Sequence, residues 1–336
     1  MPNIAINGLG RIGRAALKII LDVPELSLVA VNDLVPADNL AYLLRYDTVY
    51  GRYEKQVVPG DDALIIDGKS IPLFHEKDPL NLPWRKLKVD VILECTGAFT
   101  KGEDLAKHLK AGAKHAILSA PSKDEETLTI VHGVNDPSEP PEIFSCASCT
   151  TNCITPVMEI MSRRIGIKKA VMTTIHAYTS TQSIVDGPRK KWSRGRAGAA
   201  NFVPTSTGAA VATTKALPQL KGRFDGVAVR GPVPVGSLAD IVFLSSRKTS
   251  VDEVNDILSE EAKSDRYAGI LGVSEDPIVS SDVIRDARAS IVDLGMTQVI
   301  DGDLVKVMTW YDNEWGYTAQ LIRNVLQTLG ISKKIM

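Results

Sequence analysis

The run Gly8-Leu9-Gly10-Arg11-Ile12-Gly13 constrains this chain more than any other feature. It is a G-x-G-x-x-G, a pattern that is weak alone because glycines also mark ordinary turns. Its surroundings give it meaning. Ile4 to Asn7 precedes it and reads as a short buried strand. A helix from about Arg11 to Leu21 follows, with Ile12, Ala16, Ile19 and Ile20 on one face. Leu28 to Val31 is the next strand, and Asp33 ends it twenty residues after Gly13. In such a unit the glycines allow backbone N–H groups to approach a pyrophosphate, and the helix N-terminus favours the negative charge. Asp33 can accept hydrogen bonds from an adenosine ribose. Its carboxylate would repel a 2′-phosphate, so NAD is favoured over NADP. The alternative is a βαβ unit that binds no nucleotide.

The same alternation continues. Val89 to Leu93 and Ala116 to Leu118 read as buried strands on either side of a helix, Gly102 to Lys110, that stops at Ala111-Gly112. Leu64 to Lys69 reads as a hairpin turning at Asp67-Gly68. Continuous apolar strands alternating with helices imply a parallel sheet covered on both faces. After about residue 148 the pattern changes. A helix from Thr150 to Arg164 leads into a strand, Ala170 to Ile175, and then a long polar loop, Ser180 to Ala200. Later strands are longer and alternating, with a hairpin signal at Ile300-Asp301-Gly302-Asp303. Ser250-Val251-Asp252-Glu253 reads as a capping box opening a helix with Val251, Val254 and Leu258 inward. The fold class is therefore α/β: a Rossmann dinucleotide-binding domain over residues 1–148, plus an α+β catalytic domain with a mixed sheet over residues 149–312. A C-terminal helix, within residues 313–336, is expected to complete the first domain.

Several classes are disfavoured. The net charge is −1 over 336 residues, which gives no global attraction to nucleic acid or anionic membrane. No run of eighteen apolar residues marks a membrane span, and the N-terminus lacks the pattern of a signal peptide. The four cysteines, Cys95, Cys146, Cys149 and Cys153, have no histidine at zinc-finger spacing, and a disulfide framework is not expected in a chain of this size. No metal is predicted. A reduced, cytoplasmic setting fits them. Cys95, Cys146 and Cys153 read as buried structural residues.

Cys149 reads differently. Ser148 is placed to cap the helix that follows, which puts Cys149 in its first turn. There the macrodipole and free N–H groups stabilise a thiolate, so a lowered thiol pKa is expected. His176 ends the strand before hydroxyl-rich Tyr178-Thr179-Ser180-Thr181. A lone histidine is more often structural, but open sheets place chemistry at strand ends. Spacing alone does not bring it to Cys149.

At these residues the chain resembles a known family. Ile6 to Arg14, Ala147-Ser148-Cys149-Thr150-Thr151-Asn152, Pro204 to Ala210 and Trp310-Tyr311-Asp312-Asn313-Glu314-Trp315-Gly316-Tyr317 resemble glyceraldehyde-3-phosphate dehydrogenase. The resemblance runs to the last helix. It implies Cys149 as nucleophile and His176 as general base. It implies NAD contacts from Gly8, Gly10, Arg11, Ile12, Gly13, Asp33, Lys77, Thr96, Ser119 and Asn313, the last holding the nicotinamide carboxamide. Thr179, Thr181 and Arg230 match the site for the substrate phosphate. Ser148, Thr150, Thr207, Gly208 and Arg194 match that for inorganic phosphate. The implied reaction is the glycolytic one: phosphorylating oxidation of D-glyceraldehyde 3-phosphate to 1,3-bisphosphoglycerate through a thiohemiacetal and a thioester. The alternative is an erythrose-4-phosphate dehydrogenase. A homotetramer is implied, with the basic loop Arg189 to Arg196 at a subunit interface rather than on nucleic acid. Lys77 stands where the family commonly has Arg, Ala177 where it has Ser, and Thr181 where it has Asp.

Overall fold

The computed structural model describes residues 1–331 of the chain. The chain forms two compact units. Of the described residues, the first takes Met1–Ile130, Pro137–Ala147 and 321–331; the second takes Val131–Asp136 and Ser148–Gln320.

The first unit is built on an eight-stranded sheet. Its order is Ile143–Ser145, His115–Leu118, Val91–Glu94, Asn3–Asn7, Ser27–Asn32, Lys69–Phe74, Ala63–Ile66 and Val57–Gly60. The first six run parallel to their neighbours, and the last two turn back antiparallel. The central strands are buried on both faces: Ile4, Ala5, Ile6, Val91, Ile92, Leu93, Ala116 and Ile117 are all inaccessible. That is why they carry unbroken apolar runs rather than alternation. The chain's first strand lies inside the sheet, with Ser27–Asn32 on one side and Val91–Glu94 on the other. Strand order reverses there, which opens a crevice beyond the strands' carboxyl ends. Asp67 and Gly68 both adopt positive φ, 48° and 80°, as the two central residues of a tight hairpin must. Helix Gly102–Ala111 ends on left-handed Gly112, where a β-carbon would lie 2.6 Å from the Arg85 backbone.

The second unit holds a seven-stranded mixed sheet. Its order is Val203–Ser206, Phe224–Gly231, Ile167–Ala177, Ser237–Ser245, Leu304–Tyr311, Ser290–Ile300 and Leu271–Ser274. Burial alternates strictly along Ser237–Ser245 and along Leu304–Tyr311, the period of a sheet with one covered face. Helices Cys149–Arg164, Ala209–Ala216 and Val251–Ala262 supply that cover, packing Ile154, Met158, Ala210, Val254 and Leu258 with Met172, Ile241 and Val307. On the other face Val171 and Val227 are 60% and 54% exposed. The segment Val131–Asp136 is pinned by Arg266, whose guanidinium donates to the carbonyls of Gly133 and Val134 at 2.7 and 3.1 Å and to Glu159 at 3.2 Å.

Two local expectations change. Val251 is exposed, and Val254, Ile257 and Leu258 carry the inward face. Ser250 Oγ does accept from the Glu253 N–H at 3.2 Å. The Glu253 carboxylate does not return the bond, because Arg247 and Thr249 occupy it at 2.6 and 2.7 Å. The C-terminal helix is Trp315–Thr328, and it crosses the division between Gln320 and Leu321. Residues 332–336 of the expected helix lie outside the described residues.

Candidate active site

Helix Cys149–Arg164 begins where Ser148 leaves the extended region, and Ser148 Oγ accepts from the Thr151 N–H at 3.1 Å. This cap holds Cys149 in the first turn. Strand Ile167–Ala177 runs beneath it and delivers His176 near its carboxyl end. Cys149 Sγ lies 3.3 Å from His176 Nε2. The ring's Nδ1 lies 2.7 Å from the Ala177 carbonyl oxygen. An Nδ1–H that donates there leaves the Nε2 lone pair facing the thiol. Tyr311 packs edge-on against the ring, 6.0 Å between centroids.

Sheet register brings in the cation. His176 sits directly across the parallel ladder from Arg230. The Arg230 guanidinium meets His176 Nδ1 and donates to the Ala177 carbonyl at 3.1 Å. Its Nε is buried without a partner. Burial, and then the Arg230 charge, pushes the His176 pKa down to about 3, so the imidazole is neutral. Burial also raises the Cys149 thiol above its ordinary value, against the opposing pull of Arg230 and the Thr150 N–H. This reverses the lowered thiol expected from the helix start alone. Desolvation outweighs the macrodipole here. The free protein therefore holds a neutral thiol against a neutral base. Burial pushes the other three cysteines up as well, Cys95 and Cys153 to about 12, and Cys146 above them.

The expected anion-binding residues gather on the same unit. Thr179 and Thr181 share a hydroxyl bond of 2.8 Å. Arg194 reaches Thr205 Oγ1 at 3.1 Å and Thr181 Oγ1 at 3.5 Å, so the arginine expected at the inorganic phosphate touches a residue expected at the substrate phosphate. Thr207 Oγ1 accepts from the Ala209 N–H at 3.1 Å, with Gly208 as the helix cap. Thr150 is less available. It is buried, and its hydroxyl is bonded to Tyr311 Oη at 2.9 Å. Asn313 is 7% exposed. Its Oδ1 accepts from the Gly236 N–H at 3.1 Å and from Ser237 Oγ at 2.9 Å.

In the first unit, a cleft of about 510 Å³ lies at the strand ends, lined by Gly8, Gly10, Asp33, Lys77 and Thr96 among others. A β-carbon on Gly8 (φ 93°) would lie 2.7 Å from the Thr96 nitrogen, and one on Gly13 would strike the Gly8 carbonyl at 1.9 Å. Gly10 faces open space. This is the tight turn and close helix packing that a pyrophosphate-binding loop needs, so the residues fit a dinucleotide. Asp33 Oδ2 accepts from the Leu9 N–H at 2.6 Å and Oδ1 from the Val35 N–H at 3.0 Å. Arg11, Ile12 and Gly13 form the first helical turn and are not among the lining residues; the Arg11 side chain pairs with Asp47. Ser119 donates to the Glu94 carbonyl at 2.9 Å, beside the cleft rather than in its lining.

Sequence reasoning missed a buried network under this cleft. Glu94 is inaccessible. Its carboxylate takes the Asn7 amide at 2.6 Å, His108 Nε2 at 3.2 Å and the Thr96 N–H at 2.8 Å, together with the Thr96 hydroxyl. Trp84 Nε1 donates to His108 Nδ1 at 3.0 Å, which leaves the histidine proton on Nε2. The available signal was a charged residue closing an unbroken apolar strand, Val91-Ile92-Leu93-Glu94. No group of His, Cys, Asp and Glu suited to a metal ion occurs among the described residues.

Two family models match the chain. The NAD binding domain of glyceraldehyde 3-phosphate dehydrogenase matches residues 2–102, and the C-terminal domain of the same enzyme matches residues 148–313. Glyceraldehyde-3-phosphate dehydrogenase 2 of Streptomyces avermitilis is 46% identical, covering 95% of this chain and 96% of the relative. Glyceraldehyde-3-phosphate dehydrogenase 1 of Bacillus subtilis is also 46% identical, over 95% and 96%. The enzyme of Clostridium pasteurianum is 44% identical, over 99% and 100%. With both family models and relatives of this similarity along nearly its whole length, the chain belongs to the glyceraldehyde-3-phosphate dehydrogenase family.

Proposed function

We propose that the protein is an NAD-dependent, phosphorylating glyceraldehyde-3-phosphate dehydrogenase in which Cys149 is the nucleophile and His176 the base. The observation that carries this reading is the 3.3 Å approach of Cys149 Sγ to His176 Nε2, with Arg230 on the far side of the ring. Cys149 Sγ attacks the aldehyde carbon as its proton passes to Nε2, and Nε2 hands that proton on to the aldehyde oxygen, giving a thiohemiacetal. His176 then takes the hydroxyl proton as the carbon loses hydride. NAD, when bound, would supply the hydride acceptor; the glycine loop, Asp33 and Thr96 would hold its adenosine and pyrophosphate part, and Asn313 is assigned to its nicotinamide. The product is a thioester on Cys149. An oxygen of inorganic phosphate attacks its carbonyl carbon, the C–S bond breaks, the leaving sulfur takes the proton held on His176, and the acyl phosphate leaves with the thiol restored and the phosphate proton lost to solvent.

The substrate phosphate is assigned to Arg230, Thr179 and Thr181. The inorganic phosphate is assigned to Arg194, Thr207, Gly208 and the helix start at Ser148-Cys149-Thr150. Arginine suits both, since its planar fork binds phosphate oxygens in pairs. The buried, unpartnered Arg230 Nε supports an anion there. Residues 1–148 with the C-terminal helix act as the NAD domain, and residues 149–312 as the catalytic domain. The names of the similar proteins favour the triose aldehyde over erythrose 4-phosphate. Exposed Val171 and Val227 on the open sheet face support a homotetramer. Among the described residues no helix is long and apolar enough to cross a membrane, in keeping with an enzyme of the cytoplasm. The test is NADH formation from glyceraldehyde 3-phosphate with and without inorganic phosphate, repeated with erythrose 4-phosphate. Turnover that ignores phosphate, or prefers the four-carbon aldehyde, overturns the assignment.

A further inference from the structure

Four groups in the second unit form a chain whose direction is fixed by chemistry alone. The Ala177 N–H donates to Ser237 Oγ at 3.1 Å. A backbone N–H can only donate, so the Ser237 oxygen accepts there and its own proton is free for another partner. That partner is Asn313 Oδ1, at 2.9 Å. The same Oδ1 accepts from the Gly236 N–H at 3.1 Å. Two donors on one oxygen settle the amide's orientation: Oδ1 points inward, and Nδ2 points the other way. Nδ2 makes no hydrogen bond among the described residues, although Asn313 is 7% exposed. Ser237 itself is 1% exposed.

The backbone at this point is built for the arrangement. Gly236 has φ 91°, and a β-carbon on it would lie 2.1 Å from the Ser280 carbonyl oxygen. Only glycine turns the chain so that the N–H of residue 236 and the hydroxyl of residue 237 converge on one acceptor. The other end of the chain is Ala177, the residue after His176, whose carbonyl receives His176 Nδ1. One serine hydroxyl thus ties the backbone that orients the base to the amide at the start of the last helix.

We propose that Ser237 is a positioning residue that locks the Asn313 carboxamide with its NH2 group presented as a fixed hydrogen-bond donor to the carbonyl on the nicotinamide end of the cofactor. The inference rests on the NAD reading above and deepens it. The carboxamide oxygen is the acceptor on that ring able to take an N–H bond. The adenosine and pyrophosphate portions have no part in it. Losing the serine hydroxyl leaves Ala177 N–H without its acceptor and Asn313 held by a single bond, so the amide turns more freely and donates less well.

The test compares NAD with ADP-ribose, which lacks the nicotinamide ring, by calorimetric titration of the full-length protein. Ser237→Ala is expected to weaken NAD about tenfold, the loss of one buried hydrogen bond, and to leave ADP-ribose within about twofold. Ser237→Thr, which keeps the hydroxyl, should recover most of the NAD affinity. Asn313→Asp keeps an acceptor for Gly236 and Ser237 but removes the NH2 donors, and it should reproduce the loss that is specific to NAD. NAD binding unchanged in Ser237→Ala overturns the proposal. So does an equal loss of NAD and ADP-ribose in both variants, which would mark a merely structural role. If the unaltered protein binds neither ligand, the cofactor reading itself falls and takes the inference with it.

Discussion

Cys149 and His176 face each other at 3.3 Å although one opens a helix and the other closes a strand 27 residues later. The thiol is raised by burial and the imidazole lowered by burial and by Arg230. Arg230 lowers both pKa values, since a cation favours thiolate and disfavours imidazolium. Replacing it with leucine should therefore move the Cys149 titration to higher pH and that of His176 back toward its ordinary range. The measurement is the pH dependence of Cys149 alkylation by iodoacetamide. A profile that moves to lower pH in Arg230→Leu would show the sign to be wrong.

Cys149 is the one thiol expected to react. Cys153 is inaccessible, with Ser290 and Thr309 around its sulfur at 3.9 and 3.8 Å, and burial holds Cys95 and Cys146 well above the ordinary range. Cys149→Ala should abolish dehydrogenase activity and leave the melting temperature nearly unchanged. Mass mapping after brief iodoacetate treatment checks this; first labelling at Cys95, which lines the dinucleotide cleft, would contradict it.

Arg230 and Arg194 should divide the two phosphates between them. A charge-assisted hydrogen bond is worth about 1.5–3 kcal/mol, or roughly ten- to a hundredfold in rate. Arg230→Leu should raise the KM for glyceraldehyde 3-phosphate and leave that for a non-phosphorylated aldehyde nearly unchanged, while the altered thiol and imidazole change kcat for both aldehydes alike. Arg194→Leu should raise the KM for inorganic phosphate and slow the step after the NADH burst. Because Arg194 also touches Thr181, a smaller rise in aldehyde KM should accompany its loss. Parallel changes of equal size in both variants would favour one shared anion pocket.

Asp33 should govern cofactor choice. Its carboxylate is held by the N–H groups of Leu9 and Val35, so its charge stays at the cleft rather than swinging away. Asp33→Ala should lower kcat/KM for NAD and narrow the gap to NADP. Equal kcat/KM for the two cofactors in the unaltered protein would remove this role and direct attention to Lys77.

Glu94 should matter for stability and for the cleft together. Its carboxylate accepts from Asn7, His108 and Thr96, and Trp84 fixes the His108 proton on the side facing it. Glu94→Gln presents NH2 to donors that need an acceptor. A buried unsatisfied donor costs about 1–3 kcal/mol. The expected result is a lower melting temperature with weaker ADP-ribose binding, since Thr96 loses its anchor. A variant as stable as the unaltered protein would mean that water replaces the lost acceptor.

The α/β half was legible because local rules carried it. Strands buried on both faces leave unbroken apolar runs, and Asp67-Gly68 is a turn because both residues must take positive φ. The helix at Cys149 was legible from its serine cap. The meeting of Cys149, His176 and Arg230 was not, since it depends on the parallel register that sets His176 beside Arg230. No spacing along the chain encodes that pairing; only the family resemblance brought these residues into one reading. The thiol's direction of shift was misjudged for the same reason: a helix start is visible in sequence, but burial is a property of the assembled site. Val251 was misplaced because an apolar residue at the first helical position lies too early in the turn to reach the core.

The helix Trp315–Thr328 belongs to the second unit up to Gln320 and to the first from Leu321. In the first unit Leu321, Ile322 and Val325 are inaccessible, and Asn324 donates to Cys146 Sγ at 3.3 Å. A ribosome makes the chain from the other end. Every described residue of the catalytic unit has been synthesised before the last buried side chains of the nucleotide-binding unit appear. The unit that holds residues 1–130 is thus finished after the one that follows it, and a nascent chain cannot seal it until Leu321, Ile322 and Val325 have been made. The order in which the two halves mature is the reverse of the order in which they are started.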